Sequence, residues 1–247
     1  MSRWLEGRVL ENRHWTEALF SLRVQAPALR FEAGQFVRIA LDVDGERVAR
    51  PFSFVNPPED PVLEFYGVVV PGGPLSPRLA ALGAGERLWI ADNPSGFLVL
   101  SEVPPAEELW LVCTGTGIAP FLSILRAPQC WQRYRRVILV HGVRHGAELT
   151  YREHIASLGH ERGEGFRDVA FVSRERIPGT LEGRIPAAIR DGRLEAAAAT
   201  PIGPERSQFM LCGNPQMLAD VAAALGERGL RKHRRRAPGQ ITMEAFW

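Results

Sequence analysis

The sequence predicts two domains in series, a small antiparallel β-barrel over residues 1–100 and a doubly wound α/β domain with a parallel sheet over 101–247. Three observations predict it. The first hundred residues carry short apolar runs separated by Gly and Pro clusters. Beyond Pro104-Pro105, strand-like and helix-like stretches alternate. The length, 247 residues, suits one large domain or two ordinary ones. With 45% apolar and 23% charged residues the chain is neither disordered nor collagen-like.

In the first half, residues 18–24 alternate, with Leu19, Leu22 and Val24 among polar neighbours. Residues 35–41, 50–55, 62–70 and 87–91 are further strands. Asp44-Gly45, Pro57-Pro58 and Pro71-Gly72-Gly73-Pro74 mark turns between them. One short helix fits 76–82, where Leu75, Leu79 and Leu82 have helical spacing. Several short strands and one helix give the barrel. In the second half, strands at 109–113, 137–141, 169–173 and 208–212 alternate with helices through 121–125, 147–158, 184–190 and 215–228. That alternation implies a parallel sheet with helices on both faces.

Several function classes are excluded or disfavoured. No apolar run approaches the ~18 residues of a membrane helix, and residues 1–6 lack a signal peptide's apolar stretch. Cys113, Cys130 and Cys212 are far apart and form no C-x-x-C pair, so they build neither an iron–sulfur cluster nor a zinc ribbon. A reduced, cytoplasmic setting is expected. His141 and His145 are four apart, but Gly142 and Gly146 and the missing third ligand argue against a metal site. No G-x-S-x-G elbow appears. Of 30 basic residues only Lys232 is a lysine, so arginines are weighed by position. The run from Arg231 to Arg236 suits a solvated helix end or an acidic protein partner. No nucleic-acid module accompanies it.

The ligand-facing candidates sit at loops. Gly115-Thr116-Gly117-Ile118-Ala119-Pro120 follows an apolar strand and opens a helix, where free amides and the helix dipole suit a pyrophosphate. A plain β–α turn would read the same. Arg144, Ser173-Arg174 and Arg184 follow successive strands, whose ends gather along one crevice in such a sheet. Convergent guanidiniums there suit a dianionic phosphate and so favour NADP, whereas a carboxylate would favour the bare ribose of NAD. Cys212-Gly213-Asn214-Pro215-Gln216-Met217 is another strand, turn and helix start, with Cys212 equally readable as a core cysteine. In the barrel half, Arg50-Pro51-Phe52-Ser53 can face a phosphate and a flat ring. Gly72-Gly73-Pro74-Leu75-Ser76 is a second pyrophosphate cradle or a hairpin loop, with Ser76 as helix cap or phosphate donor.

These motifs, in this order, resemble the ferredoxin–NADP reductase family, specifically its bacterial ferredoxin/flavodoxin group, from Trp4 to Trp247. Ala33-Gly34-Gln35-Phe36, Asp44-Gly45-Glu46-Arg47, Leu75-Ser76-Pro77-Arg78-Leu79 and the segment from Cys212 to Met217 carry the likeness. The resemblance implies a six-stranded barrel binding FAD and an α/β domain binding NADP(H). It implies FAD contacts from Arg50, Pro51, Phe52 and Ser53, from Tyr66, Gly67, Val68 and Val69, and from Leu75 and Ser76. Thr116 would approach both cofactors. Val143, Arg144, Ser173, Arg174 and Arg184 would hold the NADP adenosine and 2′-phosphate, and Asn214, Pro215 and Gln216 the nicotinamide half. Phe246 would cover the flavin ring, with Trp247 near the adenine. Ser53 and Glu244 would lie near flavin N5 and Cys212 near the nicotinamide, making these three the catalytic candidates. Two residues depart from the family pattern: Phe52 stands where the motif has tyrosine, and one residue follows Phe246.

The implied activity carries electrons from NADPH, as hydride to the flavin, to ferredoxin or flavodoxin one at a time. The partners are acidic redox proteins, with no nucleic acid and no membrane, and the protein is expected as a monomer. The alternatives are an NADPH-dependent reductase of free flavin or of a monooxygenase component, and a non-catalytic dinucleotide-binding module such as a redox-sensing regulator.

Overall fold

The computed structural model describes residues 3–245. Strands β1 (Trp4–His14), β2 (Leu19–Gln25), β3 (Phe36–Val43), β4 (Glu46–Ser53) and β5 (Val62–Val68), helix α1 (Ser76–Ala80) and β6 (Arg87–Ala91) form the first body. Its six strands pair antiparallel in the order β4-β3-β6-β1-β2-β5. A bridge between Phe54 and Phe65 ties the outer strands and curls the sheet into a barrel. Phe20, Leu22, Val24, Val37, Ile39, Phe65 and Ile90 fill its core. The β3–β4 turn is Asp44-Gly45, with φ of 52° and 84°, the paired left-handed geometry of a tight hairpin.

The sequence reading has no strand at 4–14. Its inward positions include Gly7, which contributes nothing to an apolar alternation. A Cβ there would lie 2.8 Å from Val24 Cγ1, so the barrel wall leaves room only for glycine.

The second body holds β7 (Glu108–Thr114), a 3₁₀ turn (Gly115–Ile118), α3 (Pro128–Arg133), β8 (Arg136–Val143), α4 (Arg152–Arg162), β9 (Phe166–Val172), β10 (Leu181–Glu182), α5 (Ile185–Arg190), α6 (Arg193–Ala198), β11 (Ser207–Gly213), α7 (Pro215–Gly226) and β12 (Ile241–Ala245); α2 (Ala119–Arg126) follows the 3₁₀ turn in the chain. The sheet is parallel throughout, in the order β10-β9-β8-β7-β11-β12. Strands are added to one side from β7 to β10 and to the other with β11 and β12. The β7–β11 junction is therefore the topological switch point, where sheets of this type bind ligands. One face packs under α5, α6 and α7 through Trp110, Val112, Ile138, Val140, Phe171, Ile189, Leu194 and Val221. Asp168, on the opposite face of β9, pairs with Arg152 of α4, so helices cover both faces.

Two expectations are corrected. The helix expected at 147–158 begins only at Arg152. Tyr151 stands before it at φ 58°, and residues Gly146–Glu148 make a separate 3₁₀ turn. The division at residue 100 is not a single cut: Ala119–Ala127 clusters with the residues up to Leu100, leaving Ser101–Ile118 with Pro128 onward. Ser123 Oγ donates to Asn56 O at 2.6 Å, and Arg126 pairs with Glu64 at 2.6 Å, which holds α2 to the first body. No described helix is long and apolar enough to cross a membrane.

Candidate functional site

In the barrel body, the β3–β4 register puts Arg50 and Phe52 opposite Ile39 and Val37, and Pro51 and Ser53 opposite Arg38 and Phe36. Phe52 is buried, and Gly67 on β5 passes close to it: a Cβ at Gly67 would be 2.8 Å from Phe52 Cε1. Tyr66 beside it is buried, whereas Val68 is 41% exposed. Val69 donates its N–H to Ala18 O at 2.7 Å. Arg50 is exposed, with one N–H on Ala49 O at 2.8 Å. Ser53 is 0% exposed, and its Oγ has no hydrogen-bond partner among the described residues. A buried hydroxyl left unsatisfied costs about 1–3 kcal/mol, so it fits a position that a bound group completes.

The expectation for Ser76 as helix cap is corrected. Leu75, buried, is the N-cap residue of α1. Ser76 begins the helix, and its Oγ accepts from Val70 N at 2.9 Å. That bond leaves the hydroxyl hydrogen free to donate to an anion. A five-residue helix is not stable alone. Asn12 Nδ2 anchors its C-terminal end on Leu79 O, Ala80 O and Leu82 O at 3.2, 2.9 and 2.8 Å, and His14 Nε2 meets Ala80 O at 2.9 Å. The sequence reading missed both residues because it missed β1.

In the second body, the loops at the switch point are in close backbone contact. A Cβ on Gly117 would lie 2.7 Å from Cys212 O. Thr116 is half-buried in the 3₁₀ turn. Asn214 N donates to Thr114 Oγ1 at 3.4 Å, and Asn214 Oδ1 caps α7 by accepting from Gln216 N at 2.9 Å and Met217 N at 3.3 Å. Pro215 takes the first helical position, and Gln216 Nε2 donates to Asp220 Oδ1 at 2.8 Å.

Val143-Arg144 and Ser173-Arg174 end adjacent strands and are bonded together: Ser173 N donates to Val143 O at 3.1 Å and Arg174 N to Arg144 O at 3.0 Å. Arg184 is the N-cap residue of α5. The three guanidiniums are exposed and have no carboxylate partner among the described residues. Their neighbours are paired, as Arg152–Asp168, Arg176–Glu182, Arg190–Glu227, Arg193–Asp191 and Arg228–Glu195. An arginine held at a strand end without a counter-charge is suited to a ligand anion.

Cys212 is 0% exposed, and burial pushes its thiol well above the usual range. Cys113, opposite it in the β7–β11 register, is raised in the same way, so both are neutral thiols rather than nucleophilic thiolates. Glu244 on β12 lies opposite Cys212 in the β11–β12 register. Phe246 and Trp247 lie outside the described residues. The basic run is not a helix end. Beyond α7, Arg234 and Ala237 form a bridged turn, and His233 N donates to Ile241 O at 2.8 Å. Arg231, Lys232, Arg234 and Arg236 are exposed there, while Arg235 pairs with Glu102 at 2.6 Å.

His141 is a further residue that the sequence reading did not connect to the glycine turn. Its ring is buried and its Nε2 faces Gly115 O at 3.0 Å, so Nε2 carries the hydrogen and donates. Desolvation lowers its pKa from 6.5 to about 4, opposed by the Gly115 bond. The unfolded chain therefore takes up this proton first. The stability His141 contributes is complete above about pH 6.5 and is lost as pH falls to about 4, roughly 3 kcal/mol in all. Chemical unfolding of the native protein and of His141→Gln at pH 7 and pH 4 checks this; the native protein is expected to lose about that much more.

A profile for an oxidoreductase NAD-binding domain matches residues 111–223. Over its full length the chain is 49% identical to the flavodoxin/ferredoxin–NADP reductase of Shigella flexneri, and it covers all of that protein. Among solved structures, the chain is similar to a ferredoxin NADP+ reductase from Neisseria gonorrhoeae with bound FAD and NADP, at TM-score 0.95 and 35% identity, with 100% of both chains covered. It is also similar to the Amycolatopsis cytochrome P450 reductase GcoB, at TM-score 0.78 and 30% identity, covering 99% of this chain and 70% of that one.

Proposed function

We infer from its place in the flavodoxin/ferredoxin–NADP reductase family, to which the chain belongs, that this protein carries electrons between NADPH and ferredoxin or flavodoxin by way of FAD. The observation that carries the reading is the trio Arg144, Arg174 and Arg184, which follow β8 and β9 and open α5 and have no carboxylate partner among the described residues. When bound, FAD supplies two-electron uptake and one-electron release.

Each body has its own share of the work. In the barrel, Arg50 and the free hydrogen of Ser76 Oγ would hold a pyrophosphate, and the orphaned Ser53 Oγ would hydrogen-bond the flavin near N5. Phe52, Leu75 and the stretch Tyr66-Gly67-Val68-Val69 would give apolar and backbone contact. In the α/β body, Val143, Arg144, Ser173, Arg174 and Arg184 would hold the 2′-phosphorylated adenosine. Thr116, Asn214, Pro215 and Gln216 would hold the nicotinamide half. Cys212, a neutral thiol, would act by packing, and Glu244 by its charge. The exposed cations at Arg231, Lys232, Arg234 and Arg236 would steer an acidic redox partner. The reading includes a monomer working in the cytoplasm.

Anaerobic addition of NADPH to the purified holoprotein tests the reading. The flavin absorbance at about 450 nm is expected to bleach, and an unchanged spectrum would overturn it. The second reading, a reductase of free flavin or of a monooxygenase component, draws on the likeness to the P450 reductase. Flavodoxin reduction that slows steeply as salt rises favours docking of an acidic protein; a flat rate favours the second reading.

A further inference from the structure

The loops that carry Arg144 and Arg174 each contain a carboxylate close by in sequence, Glu148 and Glu175. Neither pairs with either guanidinium. Glu148 Oε2 accepts instead from the N–H groups of Arg144 and His145, at 2.9 and 3.3 Å. Glu175 Oε1 accepts from Gly146 N, a bond that crosses from the β9 loop to the β8 loop. His145 Nδ1 stands 4.0 Å from the same oxygen. The crossing is close-packed: a Cβ on Gly146 would meet Ile177 Cγ1 and Cδ1 at 3.0 Å. Ser173 Oγ adds a bond to Val143 O at 3.2 Å.

Two carboxylates beside an anion site carry a cost, because their field repels the ligand. Here each is engaged by backbone amides, a charge-assisted bond that fixes loop geometry and leaves the neighbouring guanidiniums without a counter-charge. We propose that Glu148 and Glu175 are positioning residues, setting Arg144 and Arg174 at the separation a phosphate dianion on the nucleotide 2′-position requires. The proposal rests on the NADP reading and names the groups that make that site selective for a phosphorylated ribose.

The sign of the effect separates positioning from proximity. If the carboxylates merely sit near the phosphate, Glu148→Gln and Glu175→Gln remove a repulsion and tighten binding. If they position the arginines, the same changes weaken it. Calorimetric titration of the holoprotein with 2′,5′-ADP and with 5′-AMP reads this directly. The expected result is about three- to tenfold weaker 2′,5′-ADP in each variant, with 5′-AMP unchanged. Glu175→Asp, which keeps the charge and shortens the reach, is expected to behave like Glu175→Gln. Tighter or unchanged 2′,5′-ADP, or an equal loss of both nucleotides, would overturn the proposal. Arg174→Ala is the companion measurement. If it leaves the preference for 2′,5′-ADP over 5′-AMP intact, the NADP reading itself fails and takes the proposal with it. If Arg174→Ala abolishes the preference and the glutamate variants do not weaken it, only the positioning role fails.

Discussion

Replacing Arg174 or Arg184 by alanine is expected to weaken NADPH by about 1.5–3 kcal/mol and to leave NADH nearly unchanged. Each guanidinium would lose a charge-assisted bond to a group that only the phosphorylated nucleotide carries. Neither arginine has a carboxylate partner among the described residues, so no ion pair described there is broken by the change. The matched control is Arg190→Ala. That residue lies on α5, six positions beyond Arg184, but is paired with Glu227 at 2.9 Å. Its removal should not alter the ratio of the two cofactors. KM for NADPH and NADH, measured in all three variants at one ionic strength, checks the result. An equal rise for both nucleotides would remove the 2′-phosphate from Arg174 and Arg184.

That contrast among arginines was beyond the sequence. Arg190 and Glu227 are 37 positions apart and Arg228 and Glu195 are 33 apart, so pairing is a property of the folded chain. What was legible was local. Gly115 to Pro120 reads as a strand–turn–helix, Asp44-Gly45 as a hairpin turn, and four of the parallel strands as short apolar runs. Elements were lost where a local cue was masked. Gly7 hid β1, and with β1 went Asn12 and His14, which anchor α1. The start of α4 is not legible because Ala147, Glu148 and Leu149 are good helix formers, whereas the chain turns left-handed at Tyr151 before the helix begins. Ser76 looked like a cap because of its type. The loop folds so that its oxygen serves Val70 N instead. The grouping of α2 with the barrel likewise rests on Ser123–Asn56 and Arg126–Glu64, both more than sixty positions apart.

Arg126→Met is expected to destabilise the barrel body by about 3 kcal/mol. Arg126 Nη1 meets Glu64 Oε2 at 2.6 Å and Val55 O at 3.3 Å, and the two side chains are only 20% and 14% exposed. At that burial the pair is little screened by solvent, so the cost of losing one member is mainly that of a carboxylate left without that counter-charge. Methionine keeps much of the arginine stem's volume, which confines the effect to charge and hydrogen bonding. Glu64→Gln in the same background should recover part of the loss, because the carboxylate that has lost its Arg126 counter-charge is then neutral. The Asn56 side chain, which accepts from Glu64 N at 2.8 Å, is untouched by either change. Denaturant unfolding of the two single variants and the double variant measures the coupling. If the singles sum to the double, the ion pair contributes nothing, and the attachment of α2 to the barrel must rest on Ser123, the Arg126–Val55 bond and apolar packing instead.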